Sequence, residues 1–106
     1  MRAELGALDD LWDGDMVGRT SGDTRVLLVR YGDRVYAYEN RCAHLGVALS
    51  EGTLEGHVLT CRAHQWQYDV RTGRGMNPRT ACLRDFHARV EDGRIVIDLP
   101  EAGGGG

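Results

Sequence analysis

The chain has 106 residues, of which 42% are hydrophobic, and this composition suits one small globular domain. All 13 basic residues are arginine and 16 residues are acidic, so the formal net charge is −3 and no basic surplus favours a nucleic-acid partner. The longest stretch without a charged residue, 42–50, is too short for a membrane span of about 18–20 residues. Because the N-terminus also lacks the apolar run of a signal peptide, we expect a cytoplasmic protein without membrane contact.

The first half of the chain contains one helical turn and one β-hairpin. Residues 8–12 (LDDLW) can form a single helical turn that ends before Gly14. Residues 24–31 (TRVLLVRY) are rich in branched apolar side chains. In residues 34–39 (RVYAYE), which follow a Gly-Asp turn, tyrosines alternate with Val, Ala and Glu. We predict that these two segments pair as antiparallel strands.

A second hairpin is predicted near the C-terminus, with a glycine-rich segment between the two hairpins. Residues 86–91 and 95–99 alternate apolar and polar side chains on either side of an Asp-Gly turn. The intervening segment, 40–78, contains two short strand candidates at 57–60 and 67–70. These elements predict an all-β domain over residues 1–101, with 40–78 as a loop-rich subdomain and 102–106 as a flexible glycine tail.

Two short motifs in this segment combine cysteine with histidine. Cys42 and His44 form a Cys-x-His motif, and sixteen residues later Cys61 and His64 form Cys-x-x-His. Structural zinc sites usually take like ligands from one turn. Loops that each offer one thiolate and one imidazole suit a 2Fe-2S cluster in which two cysteines hold one iron and two histidines the other. The spacing therefore predicts one such cluster, while a zinc-stabilised interaction module using the same four residues remains an alternative.

Longer stretches around these motifs carry a resemblance to a known family. CAHLG at 42–46 and CRAHQW at 61–66 are similar to the ligand loops of Rieske ferredoxins. LDDLWDGDM at 8–16, LSEGTLEGHVLTCRAHQWQYD at 49–69 and TGRGMNP at 72–78 resemble the ferredoxin components of multicomponent arene monooxygenases of the toluene 4-monooxygenase type. The resemblance covers about residues 5–99.

This resemblance implies a fold, a cofactor and partners. The expected fold is a Rieske fold, an antiparallel β-sandwich base with a small cluster-binding subdomain. Cys42 and Cys61 would bind the inner iron of a Rieske 2Fe-2S cluster, and His44 and His64 the outer iron. The protein would be a monomeric electron carrier, not an enzyme by itself, that transiently meets an NADH-dependent flavoprotein reductase and the diiron hydroxylase of a hydrocarbon monooxygenase. A ferredoxin serving a Rieske ring-hydroxylating dioxygenase is the alternative.

Three further positions bear on the reduction potential. High-potential Rieske proteins carry an extra cysteine in each ligand loop, and Val47 and Ala63 stand at these positions, so we expect a potential near the low end of about −150 to +300 mV. Tyr68 falls where high-potential relatives place a hydroxyl near a ligand sulfur, which would raise the potential. The third thiol, Cys82, is predicted to be a small buried hydrophobic residue and not a ligand.

Overall fold

The computed structural model describes residues 2–42, 47–63, 65–77 and 79–99. His44, His64 and the predicted tail at 102–106 lie outside these ranges, as does the predicted domain end at residue 101. The described strands, in chain order, are β1 (Arg2–Ala7), β2 (Met16–Ser21), β3 (Thr24–Tyr31), β4 (Arg34–Glu39), β5 (Thr53–Glu55), β6 (Val58–Thr60), β7 (Gln67–Asp69), β8 (Arg74–Asn77), β9 (Arg89–Glu91) and β10 (Arg94–Asp98). Two 3-10 helices, Leu8–Asp10 and Leu49–Glu51, complete them, and the described ranges contain no α-helix.

Two three-stranded antiparallel sheets form the base of the domain. One has the order β2-β3-β4 and the other β1-β10-β9. Ile95 and Ile97 of β10 pack with Val26 and Leu28 of β3 and with Phe86 in one buried apolar cluster. The burial of these branched and aromatic side chains between the two sheets stabilises the predicted sandwich.

A third antiparallel sheet, of order β5-β6-β7-β8, is inserted between β4 and β9. Its buried residues Leu59 and Tyr68 face each other across β6 and β7. They pack with Leu27 and Val29 of β3 in a second apolar cluster, which also contains Cys42. The inserted sheet is therefore attached to the base through the other face of β3.

The structure confirms the all-β class and the central hairpin. Strands β3 and β4 have the predicted bounds, and the predicted helical turn is the 3-10 helix Leu8–Asp10. The prediction of a continuous strand at 86–91 is wrong in its first half, because His87 has φ of +52° and the ladder to β10 starts only at Arg89. Strands β1, β2, β5 and β8 were not predicted.

In the described part of the chain, no helix has the length and apolar character of a membrane-spanning helix.

Candidate metal centre

Two of the four predicted ligands, Cys42 and Cys61, lie next to each other, each shortly after the end of a strand. Cys42 follows β4 after two residues and Cys61 directly follows β6. Both side chains are buried, with 1% and 0% of their surface exposed, and the two thiols are in direct contact. The fold thus joins the two motifs that sixteen residues separate in sequence.

The two cysteines begin loops that close in the same way. The backbone N–H of Cys42 donates to the carbonyl oxygen of Val47 at 2.8 Å, and the N–H of Cys61 donates to that of Trp66 at 2.7 Å. Each bond spans five residues, and His44 and His64 belong to the segments enclosed by these bonds. His44 and His64 themselves lie outside the described residues.

The hydroxyl of Tyr68 lies next to a predicted ligand sulfur. Its oxygen is 3.5 Å from Sγ of Cys42, and both residues are fully buried. A hydroxyl can donate a hydrogen bond to a thiolate, which favours negative charge on the sulfur. The position expected for Tyr68 from the resemblance is thereby confirmed.

The surroundings of the thiols fit the sulfur half of a 2Fe-2S site. Burial, with a smaller contribution from Cys42, raises the pKa of the Cys61 thiol. A buried thiol becomes a thiolate only when a cation such as a metal ion compensates its charge. Two adjacent thiols in a largely apolar pocket are the donors that iron and zinc prefer. Among the described residues no group of three or more potential metal ligands occurs.

Small and aromatic residues close the pocket around the sulfurs. Val47, Ala63 and Trp66 are partly buried and pack against the cluster that contains both cysteines. No disulfide joins any of the three cysteines of the described chain.

Two positioning residues were missed in the sequence. Asn40 is the one buried polar side chain of the described ranges; its Oδ1 accepts from the N–H of Ser50 at 2.9 Å and its Nδ2 donates to the Ser50 hydroxyl. These bonds tie together the two ends of the first ligand loop. At Gly52 an added Cβ would lie 2.1 Å from the carbonyl oxygen of Thr60, directly before Cys61. Gly52 lies within the resembling stretch 49–69 and Asn40 just before the first motif, but only the tertiary contacts show what the two residues do.

The prediction that Cys82 is buried is wrong, because this thiol is exposed. Cys82 pairs with Arg74 in an isolated bridge along β8, and the alternation of this extended segment turns the next residue, Leu83, into the core. The buried position therefore belongs to Leu83.

Three aspartates near the N-terminus accept hydrogen bonds from backbone N–H groups. Asp10 accepts from the N–H of Ala7, Asp13 from that of Gly32 and Asp15 from that of Trp12. These carboxylates satisfy backbone donors of turns at the base. The indole of Trp12 itself is 81% exposed.

Comparison with known proteins decides the family. Residues 2–87 match the family described as the Rieske [2Fe-2S] domain. The chain belongs to this family. Its cofactor is accordingly a Rieske-type 2Fe-2S cluster, as expected from the two motifs.

Rieske ferredoxins of oxygenase systems are similar over nearly the whole chain. The ferredoxin component of the alkene monooxygenase system of Xanthobacter autotrophicus is 46% identical, covering 92% of this chain and 83% of the relative. The ferredoxin component of the naphthalene 1,2-dioxygenase system of Pseudomonas putida is 34% identical, covering 91% and 93%. A solved structure, a complex of reduced oxygenase and oxidized ferredoxin in carbazole 1,9a-dioxygenase, matches with 30% identity and a TM-score of 0.81, covering 94% and 97%.

These similarities confirm the predicted Rieske fold and the electron-transfer class. The relatives are ferredoxin components, which carry electrons and are not themselves the oxygenases. Both monooxygenase and dioxygenase systems are represented among them.

Proposed function

We propose that this Rieske ferredoxin carries single electrons from an NADH-dependent flavoprotein reductase to the diiron hydroxylase of a hydrocarbon monooxygenase, in the cytoplasm. The observation that carries the electron-transfer function is the contact of the buried thiols of Cys42 and Cys61, each at the start of a loop that holds a histidine. The monooxygenase branch is supported by the alkene monooxygenase ferredoxin, which is more similar to this chain than the naphthalene dioxygenase ferredoxin is.

We assign all four predicted ligands to the cluster. Cys42 and Cys61 hold one iron, and His44 and His64 hold the other. When bound, the cluster supplies a site that accepts and releases one electron at a time. The chain itself excludes water from the sulfurs by burying both cysteines, and it directs the Tyr68 hydroxyl at one of them.

The cofactor assignment is tested by metal analysis with a matched pair of variants. Purified protein should be red-brown and contain two irons and two acid-labile sulfides per chain, with a Rieske-type electron paramagnetic resonance spectrum after reduction. Cys61→Ala should lose the iron, whereas Cys82→Ala should retain all of it because the exposed Cys82 thiol is not among the four assigned ligands. His64→Cys should keep part of the iron and lose the Rieske spectrum.

A different metal content would contradict the assignment. Colourless protein with stoichiometric zinc and no sulfide would support the zinc module. An unchanged spectrum in His64→Cys would remove His64 from the ligand set, and loss of iron in Cys82→Ala would bring the exposed thiol into it.

The partner assignment is tested by reconstitution. The ferredoxin should accept electrons from NADH through its reductase and support product formation by a purified diiron hydroxylase. The dioxygenase alternative rests on the 34% identical naphthalene dioxygenase ferredoxin. Turnover by a Rieske dioxygenase but by no diiron hydroxylase would favour this alternative and reject the monooxygenase assignment.

A further inference from the structure

Four arginines that make no ion pair with any described residue lie beside the candidate metal centre. From residue 70 to 84 the chain has four arginines and no carboxylate, although the protein as a whole carries a net charge of −3. Arg74, Arg79 and Arg84 of this segment are exposed, as is Arg41 at the end of β4. None of these four takes part in an ion pair within the described ranges.

Five other arginines of the described residues have carboxylate partners. Salt bridges join Arg62 to Glu51 at 3.3 Å and Arg71 to Asp69 at 3.1 Å. Arg2, Arg89 and Arg94 pair with acidic residues of the base. Exposed Arg19 and Arg34 also make no ion pair within the described residues, but they lie on β2 and β4 and not along β8.

The fold brings the four arginines to a single face. The segment 79–84 runs antiparallel to β8, with the N–H of Leu83 donating to the carbonyl of Gly73 and the N–H of Gly75 to that of Ala81. At its other end, the carbonyl of Arg84 accepts from the N–H of Glu39 in β4. Arg84 is thereby placed near Arg41, and Arg79 near β8.

Two shallow recesses on this face adjoin each other. One, of about 260 Å³, is lined by Arg41, Cys42, Cys82 and Arg84, and the other, of about 350 Å³, by residues that include Arg74, Arg79 and Cys82. Glu39 supplies the single carboxylate among the described residues that line them. The first recess leads to Cys42, so a protein seated on this face lies close to the candidate metal centre.

An exposed apolar side chain completes the surface. Met76 lies two residues after Arg74 on β8, which is an edge strand of its sheet, and 46% of its surface is exposed. Arginine and methionine are enriched in protein–protein interfaces, where the apolar side chain supplies contact area and the charges set orientation and association rate. We name Arg41, Arg74, Met76, Arg79 and Arg84 the arginine face.

We propose that the arginine face is the docking surface for an acidic face of the oxygenase that accepts the electron. This proposal rests on the proposed function, since it adds the recognition surface to the electron carrier. Complementary charges bring the two proteins together, and the recess at Cys42 places the candidate metal centre next to the contact.

Stopped-flow electron transfer tests the proposal. The reduced ferredoxin, with its cluster, is mixed with the purified oxygenase of its own system, and the bimolecular rate is measured over a rising series of NaCl concentrations. The variant Arg74→Glu/Arg79→Glu changes the face at positions away from the cysteines, and Arg19→Glu/Arg34→Glu is the control, because it changes net charge equally at exposed positions of β2 and β4. Unchanged visible spectra establish that both variants retain the cluster.

We expect the rate of Arg74→Glu/Arg79→Glu to fall at least about tenfold at low salt, the control to stay within about twofold, and the rates to converge at high salt. Arg74→Gln/Arg79→Gln should shift the rate in the same direction by about half on a logarithmic scale, since it changes the charge half as much. Bound oxygenase should also slow the alkylation of Cys82 by iodoacetamide, because this exposed thiol lies between the two recesses.

Equal rates for the wild type and Arg74→Glu/Arg79→Glu at low salt would overturn the docking surface, as would equal slowing by the control. Slower transfer from the reductase with an unchanged rate to the oxygenase would also overturn it as the oxygenase surface. Failure of the wild-type ferredoxin to reduce any oxygenase at any salt concentration would instead refute the proposed function.

Discussion

Removal of the Tyr68 hydroxyl should lower the reduction potential of the ferredoxin. This oxygen lies 3.5 Å from Sγ of Cys42 in a fully buried position. Reduction adds negative charge to the cluster and its sulfur ligands, so a donor at this position stabilises the reduced form more than the oxidised form. Tyr68→Phe deletes the donor and keeps the ring that fills the core.

The size of the shift follows from the strength of such a bond. A hydrogen bond to a charged group contributes about 1.5–3 kcal/mol, and the potential depends only on the difference between the two redox states, which we take as about 0.5–1.5 kcal/mol. Since about 1.4 kcal/mol corresponds to 59 mV for one electron, the midpoint of Tyr68→Phe should lie roughly 20–65 mV below that of the wild type.

Protein-film voltammetry at fixed pH measures this shift, and Tyr38→Phe is the matched control. The Tyr38 hydroxyl is equally buried but donates to the carbonyl oxygen of Val70 at 2.7 Å, away from the cysteine sulfurs. Both variants should lose about 1 kcal/mol of stability, and only Tyr68→Phe should change the potential. A potential that stays constant or rises in Tyr68→Phe, or falls equally in Tyr38→Phe, would refute the reasoning.

Two further variants test the surroundings of the site. Gly52→Ala should destabilise the protein by roughly 2–3 kcal/mol and lower the iron content, because its Cβ would clash with the carbonyl of Thr60. Gly22→Ala, with φ of +58° and open space around it, should cost roughly 1 kcal/mol and keep the iron; equal iron loss in both variants would contradict the local effect. The Arg71 guanidinium, chiefly by hydrogen bonding, lowers the pKa of Asp69, so this pair stabilises the fold above the unfolded pKa of about 3.9 and ceases to do so as pH falls through the lower folded value. In urea unfolding Arg71→Gln should therefore be less stable than the wild type at pH 7 and equally stable at strongly acidic pH, and a gap independent of pH would rule out this linkage.

The strands that could be predicted are those that local side-chain patterns and turns define. The run of branched side chains in β3 and the Gly-Asp turn after it define the central hairpin before any tertiary contact forms. Strand β1, with the sequence RAELGA, has no such run. It is extended because it pairs with β10, so that Arg2 faces Asp98 from the other end of the chain. Its strand character therefore depends on a contact that a local pattern does not contain.

The candidate site, too, could be predicted only in part from the sequence. The spacing of cysteine and histidine predicted the ligands, and the structure places the two cysteines together. The hydrogen bonds of Asn40 and the tight contact at Gly52 depend on how two loops pack, so only the tertiary structure shows them. The arginine face likewise becomes visible only when the fold brings Arg84 near Arg41 and places Arg79 beside β8.

Strand β3 separates two compartments of the domain. Leu27 and Val29 project into the cluster that contains the cysteines, whereas Val26 and Leu28 project into the interior of the sandwich. Substitutions at neighbouring positions of β3 should therefore have different effects. Changes in volume at 27 or 29 alter the medium around the sulfurs and hence the energy of the transferred electron, while changes at 26 or 28 alter only the cohesion of the scaffold. The reduction potential and the stability of the base can therefore be changed separately, through alternate positions of one strand.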